Sequence, residues 1–132
     1  MTAGELLIYG DTGNGIGQGI CNGTVIVKGN AGERAGSLMK GGTLIIGGNA
    51  SIMAGLYMMG GEMIVLGDLG GYAGESMISG QIFFAGDFES LGKNASVCDV
   101  KEEEAERLFR ILGIYGFDSS GLSFRKIVPK AP

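Results

Sequence analysis

Residues 4–98 read, in consecutive blocks of 19, GELLIYGDTGNGIGQGICN (4–22), GTVIVKGNAGERAGSLMKG (23–41), GTLIIGGNASIMAGLYMMG (42–60), GEMIVLGDLGGYAGESMIS (61–79) and GQIFFAGDFESLGKNASVC (80–98). The seventh position of every block is glycine (Gly10, Gly29, Gly48, Gly67, Gly86), and the eighth is always Asp or Asn (Asp11, Asn30, Asn49, Asp68, Asp87). The fourteenth is glycine in four blocks (Gly17, Gly36, Gly55, Gly74) and lapses to Lys93 in the fifth. Fixed spacing over so many columns is the mark of a repeat architecture, in which each unit buries its apolar face against its neighbours.

Each block opens with one short apolar run, such as Val25-Ile26-Val27 or Leu44-Ile45-Ile46. Its length and β-branched content make it a strand. The run stops at Gly-Asp or Gly-Asn, residues that tolerate a tight turn. A 19-residue unit this rich in glycine has no room for a helix and a return. One turn of a parallel coil fits it, with strands about 4.8 Å apart. The expected fold is an all-β, right-handed, parallel, single-stranded β-helix of about five coils over residues 1–98, followed by a capping helix and tail over 99–132 that pack on it as one domain.

The columns assign faces. Leu6, Val25, Leu44, Met63 and Ile82, with Ile8, Val27, Ile46, Val65 and Phe84, suit the interior, and Ile20, Met39, Met58 and Met77 form a second buried stack. Position two is polar throughout (Glu5, Thr24, Thr43, Glu62, Gln81) and points outward. By the period of two, position four points outward too. Yet it holds Leu7, Ile26, Ile45, Ile64 and Phe83. This stripe is read as an interface that needs a cover.

After Cys98 the period changes. Asp99 with Glu102 resembles a capping box; a helix is expected over Val100–Leu112, with Ala105, Leu108, Phe109 and Leu112 on one face and Gly113 as its stop. That face is expected to lie on the stripe. Glu102, Glu103 and Glu104 fall in the first turn, where negative charge complements the helix dipole. One further apolar piece, Phe124–Val128, precedes Pro129. Ahead of the first strand, Met1, Thr2 and Ala3 are too short a lead to cover a whole coil. The first coil is therefore expected to be capped by another chain, either a second copy or a partner protein, because an open strand edge recruits strands.

Composition narrows the chemistry. The 132 residues contain no His and no Trp, and the formal net charge is −4. Without His the commonest general base and metal ligand is missing. Two cysteines, Cys21 and Cys98, are too few for a thiolate zinc or iron–sulfur site within one chain. They sit about four rungs apart, roughly 19 Å, beyond disulfide reach. No Lys/Arg cluster offers nucleic acid a landing site. No apolar run approaches the roughly 18 residues of a membrane span, and no leader pattern opens at Met1, so the expected compartment is the cytoplasm.

The tract Gly13-Asn14-Gly15-Ile16-Gly17-Gln18-Gly19 invites a phosphate-loop reading. The dinucleotide fingerprint, however, is G-x-G-x-x-G opening a helix, whereas here the glycines alternate and lead into a strand. The Asp/Asn column suggests calcium rolls, but those repeat every nine residues; turn residues and a side-chain ladder account for it better. The regular Met column reads as core, not as a soft-metal site. No carboxylate pair, nucleophile–base pair, cofactor site or metal set can be placed from the sequence.

The segment Asn14–Gly23 followed by Thr24–Val27, with Gly29–Gly36 and Gly67–Gly74, resembles the GXGXG signature of the C-terminal domain of the glutamate synthase large subunit. The motif glycines are Gly13, Gly15, Gly17, Gly19, Gly36, Gly55 and Gly74. One of the subunits of formylmethanofuran dehydrogenase carries a similar repeat, including phrases like Met39-Lys40-Gly41-Gly42-Thr43, while the capped helix and Phe124–Pro129 look closer to the glutamate-synthase side. The resemblance implies a free-standing version of that β-helix, a structural part of an oxidoreductase complex that is not catalytic alone. Its implied partners are other subunits of a glutamate-synthase-like complex, or itself through the first coil.

Overall fold

The computed structural model describes residues 4–130, so Met1, Thr2 and Ala3 lie outside the described residues. Five strands, β1 (Glu5–Ile8), β2 (Thr24–Val27), β3 (Thr43–Ile46), β4 (Met59–Val65) and β5 (Ser79–Phe84), stack in parallel. The register follows the 19-residue columns: Leu6 lies beside Val25, Val25 beside Leu44, Leu44 beside Met63 and Met63 beside Ile82. Isolated bridges continue the stacking on a second wall, from Ala31 through Ala50 and Leu69 to Phe88. The chain is a β-solenoid of about 4 turns, fewer than the five coils that the blocks suggest. The fifth block loses the path because it slips by one residue, Ala73 pairing with Leu91 instead of Gly92.

The interior is filled by the strand columns, from Val25 to Phe84, and by Ile20, Met39, Met58 and Met77; Leu6, expected inside, is 47% exposed, since no coil lies beyond it among the described residues. Small alanines, Ala35, Ala54 and Ala73, sit among them where two walls converge. Like side chains stacked on like at strand spacing leave few gaps, and unbranched methionines fill irregular ones.

The closing layer departs from the sequence reading in three places. Residues 95–99 form a strand, β6 (Ala95–Asp99), which crosses the 98/99 boundary. The tail strand β7 (Arg125–Pro129) inserts between β5 and β6 and runs antiparallel to both. Asp99 is thus paired with Arg125 in the sheet and does not cap the helix. The helix α1 is Glu102–Ile114, capped at Lys101, whose N–H donates to the Glu104 carboxylate at 3.1 Å. Lysine has no acceptor to return the bond, so half a capping box forms. Gly113 lies inside the helix. The stop is Gly116 (φ 81), where Phe117 N–H reaches Leu112 O at 2.9 Å and Gly116 N–H reaches Gly113 O at 3.2 Å. That pair of bonds is the Schellman motif.

Helix α1 lies on the outward stripe. Leu108 and Leu112, with Phe124, close a second core over Ile26, Ile45, Ile64 and Phe83. Polar contacts fix the helix along its length. Arg107 grips Glu62 of β4 through both guanidinium nitrogens, and the carboxylate keeps the guanidinium pKa raised. Lys126 donates to Glu104 at 2.8 Å, holding that carboxyl below the usual range. At the far end the Tyr115 hydroxyl donates to Glu5 of β1, and Lys28 donates to Tyr115 O while lying 4.0 Å from the Phe117 ring centroid.

Burying one Leu contributes about 1.5–3 kcal/mol, and an unpaired buried carboxylate adds a desolvation cost. Leu108→Asp is therefore expected to destabilise the chain by more than about 3 kcal/mol. Thermal melting followed by circular dichroism measures this, and a melt like that of the parent chain would mean that α1 does not depend on the stripe.

Candidate functional site

The glycine tract of the first coil turns out to be one instance of a geometry that the first four blocks share. Gly15, Gly17 and Gly19 have φ of 77°, 75° and 71°. One coil on, the same positions are Arg34 (58°), Gly36 (69°) and Leu38 (58°); then Met53 (60°), Gly55 (75°) and Tyr57 (55°); then Tyr72 (56°), Gly74 (73°) and Ser76 (56°). Three left-handed residues at alternate positions turn the chain at this corner. Gly13 is not left-handed. A non-glycine residue held left-handed costs roughly 1–2 kcal/mol, so six such residues are a persistent expense of the repeat. Nothing in the residue types Arg, Leu, Met, Tyr or Ser announces them. The signal that finds them is their place in the columns of Gly15 and Gly19.

The middle position is glycine in all four, and a side chain there would press on the core. A Cβ at Gly36 would sit 2.3 Å from Met63 Cε, one at Gly55 2.5 Å from Ile82 Cδ1, and one at Gly74 3.0 Å from Met77 Sδ. These atoms belong to the core. The flanking columns point the other way: Tyr57 is 50% and Tyr72 54% exposed, and Arg34 and Leu38 are exposed as well.

Two amides of the tract, at alternate glycines, are committed to the next coil. Gly15 N–H donates to Glu33 O at 2.8 Å and Gly19 N–H to Ser37 O at 2.9 Å. The tract runs on through Ile20 to β2, with no helix at its end. A phosphate cradle needs free amides converging at a helix start, and this arrangement is a coil corner instead. Beside it opens a recess of about 400 Å³ at the end of the solenoid, walled by Leu6, Thr12, Asn14, Ile16, Gln18 and Val25. The buried Thr12 hydroxyl there has no hydrogen-bond partner among the described residues.

The Asp/Asn column is a ladder. The Oδ1 of each member accepts the backbone N–H of the member one coil later: Asp11 from Asn30 (2.7 Å), Asn30 from Asn49 (2.8 Å), Asn49 from Asp68 (2.8 Å) and Asp68 from Asp87 (2.8 Å). Oxygens used in this way are poorly placed to surround a cation. From the second coil on, the glycine before each member is required by the ladder, since a Cβ at Gly29, Gly48, Gly67 or Gly86 would lie 2.0–2.2 Å from the Oδ1 below. At the last member Arg125 of β7 ends the column, donating to Gly86 O at 3.1 Å and to Asp87 Oδ1 at 3.3 Å, with its guanidinium 4.9 Å from the Phe84 ring centroid.

The interface stripe is brought together under α1 except at one end. Ile26, Ile45, Ile64 and Phe83 are buried, while Leu7 stays 42% exposed. Cys21 and Cys98 are both free and exposed.

Two expectations follow from the ladder and the corner. Asn49→Ala leaves the Asp68 N–H without its acceptor and is expected to cost about 1–3 kcal/mol, whereas Asn49→Asp keeps the oxygen and stays near the parent; urea titration of the pair reads the difference. At the corner, Gly36→Ala is expected to lose about 1–3 kcal/mol from its backbone conformation and its contact with Met63. Leu38→Gly in the same chemical-denaturation assay is expected to be neutral or up to about 1 kcal/mol more stable, as relief of left-handed strain opposes added unfolded-state freedom.

No protein-family model and no curated protein matches this chain.

Proposed function

We propose that the chain is a non-catalytic structural subunit of a multi-subunit oxidoreductase of the glutamate-synthase kind. The observation that carries the reading is the glycine tract: the residues that resemble the GXGXG signature make a coil corner shared by four of the five repeats, so the signature marks an architecture and leaves ligand chemistry to other chains. Charged residues with defined partners are engaged in holding the fold, as in Arg107–Glu62, Lys126–Glu104 and Arg125–Asp87. The corner also presents Leu38, Tyr57 and Tyr72 beside Arg34 to solvent. Aromatic and arginine side chains of this kind dominate binding energy at protein interfaces. Holding such residues in left-handed conformations, where they gain no burial of their own, is understandable if a partner protein covers them.

Co-expression with glutamine-amidotransferase and FMN/iron–sulfur subunits that lack a β-helix of their own tests the reading. The expected result is co-elution on gel filtration and glutamine-dependent glutamate formation that requires this chain. The purified chain alone should release no ammonia from glutamine. Tyr57→Ala with Tyr72→Ala should abolish co-elution without lowering the melting temperature. Glutamine turnover by the isolated chain, or full activity of the other subunits without it, overturns the proposal. Co-elution with the formylmethanofuran dehydrogenase subunits instead would move the chain to that complex.

A further inference from the structure

The open end of the solenoid has a self-complementary edge, and we infer that a second copy of this chain docks on it, β1 against β1, as a two-fold dimer. The inference concerns a different surface from the corner tyrosines and stands whether or not the oxidoreductase reading holds.

Among the described residues the edge is unpaired and unprotected. Among the described residues β1 pairs only with β2. Its side chains are apolar and half-exposed, Leu6 at 47% and Leu7 at 42%, with Tyr9 at 80% just beyond it. Natural edges are blunted by lysine, proline or a bulge. Residues 4–22 contain no Lys, Arg or Pro; their only charges are Glu5 and Asp11. The β1·β2 register is unbroken.

The backbone states which pairing the edge accepts. Thr24 N–H donates to Gly4 O and Lys28 N–H to Ile8 O. In a parallel ladder of this register the N–H and C=O of Leu6 and Ile8 therefore face β2, and those of Glu5, Leu7 and Tyr9 face away. An antiparallel partner must oppose such residues to one another. Pairing centred on Leu7 does so: Leu7 meets Leu7 of the second copy, and Glu5 meets Tyr9 of the second copy on either side. This gives about six backbone bonds across the axis. The same register sets Leu6 against Ile8 of the second copy on the core side, so interior meets interior and the outer stripe meets its twin. A shift by one residue would put core side chains on the outer face. The register also keeps the two Glu5 carboxylates apart, each opposite a tyrosine. The recess walled by Leu6, Ile16 and Val25 is then roofed by its own copy.

The other end of the solenoid is built differently. There β7 runs antiparallel along β5 and β6 is the edge strand, so a copy stacked head to tail would meet an antiparallel closing layer and not a continuation of the parallel coil. Pairing of β1 with β1 uses the same surface on both copies and is therefore isologous and closed.

Sedimentation of the full chain over a concentration series, together with residue-resolved amide exchange, tests this. The expected result is a monomer–dimer equilibrium in which the Glu5, Leu7 and Tyr9 amides become protected as dimer forms, while Leu6 and Ile8 are protected at every concentration. Leu7→Lys places like charges across the axis; it should remove the dimer boundary and the alternate protection while leaving the melting temperature of the dilute, monomeric chain unchanged. Ile78→Lys, on an exposed residue away from β1, should leave the dimer intact. A monomer at all concentrations overturns the inference. So does a dimer that survives Leu7→Lys, or one in which Glu5, Leu7 and Tyr9 exchange freely. A Leu7→Lys chain that fails to fold leaves the wild-type exchange pattern to decide.

Discussion

The hydrogen bond from the Asp or Asn side chain of one coil to the backbone N–H of the same position in the next is the constraint that the rest of the structure obeys. It uses the side-chain oxygen as a further strand-like acceptor at a place where the chain is turning and the regular ladder has stopped. The bond forms only if successive coils superpose residue on residue, so it penalises any insertion. It also brings the oxygen so near the next backbone that the preceding residue can have no side chain. One oxygen per coil thus accounts for two of the columns in the repeat and for the strictness of the 19-residue spacing. Where the column ends, at Asp87, an arginine from β7 takes over.

Superposed coils make a sheet with two apolar faces. An inner face is ordinary for a solenoid, but the outer stripe commits the fold to a lid, and α1 is amphipathic because that is its task. The stripe and the lid bury one another: Ile26, Ile45, Ile64 and Phe83 on one side, Leu108 and Leu112 on the other. Electrostatics then orient the lid. Arg107 and Lys126 pair across it with Glu62 and Glu104, and partly shielded pairs of that type contribute more to orientation than to stability.

The register of all four parallel pairings, the two buried columns and the outward stripe were legible because stacking forces like residues into line. Helix α1 was legible as an amphipathic segment, but its start was not. Asp99 matches the usual cap chemistry, yet antiparallel pairing with Arg125 claims its backbone, and Lys101 takes the cap with none of the expected side-chain oxygen. The order β5-β7-β6 depends on contacts 26 to 45 residues apart in the chain, and no local pattern encodes them. At the candidate site, the glycines of the first coil showed where a turn lies. That Arg34, Met53, Tyr57 and their column mates would take the same conformation follows from alignment with those glycines, since their own propensities argue for the opposite.

The length of α1 carries a consequence for the size of the solenoid. Thirteen residues make a helix of about 20 Å, and the six strands from β7 to β1 span about 24 Å at about 4.8 Å spacing, a difference that the long side chains at the two ends of the helix make up. The helix begins beside the closing strands, where Glu104 meets Lys126, and runs back to the first strand, where Tyr115 meets Glu5. It is a ruler laid across the rungs. One more coil would leave a stripe residue beyond the end of the helix, and one coil fewer would leave a helical turn with nothing beneath it. Repeats of this kind can in principle grow or shrink by duplication of a unit; in this chain the lid has fixed the count.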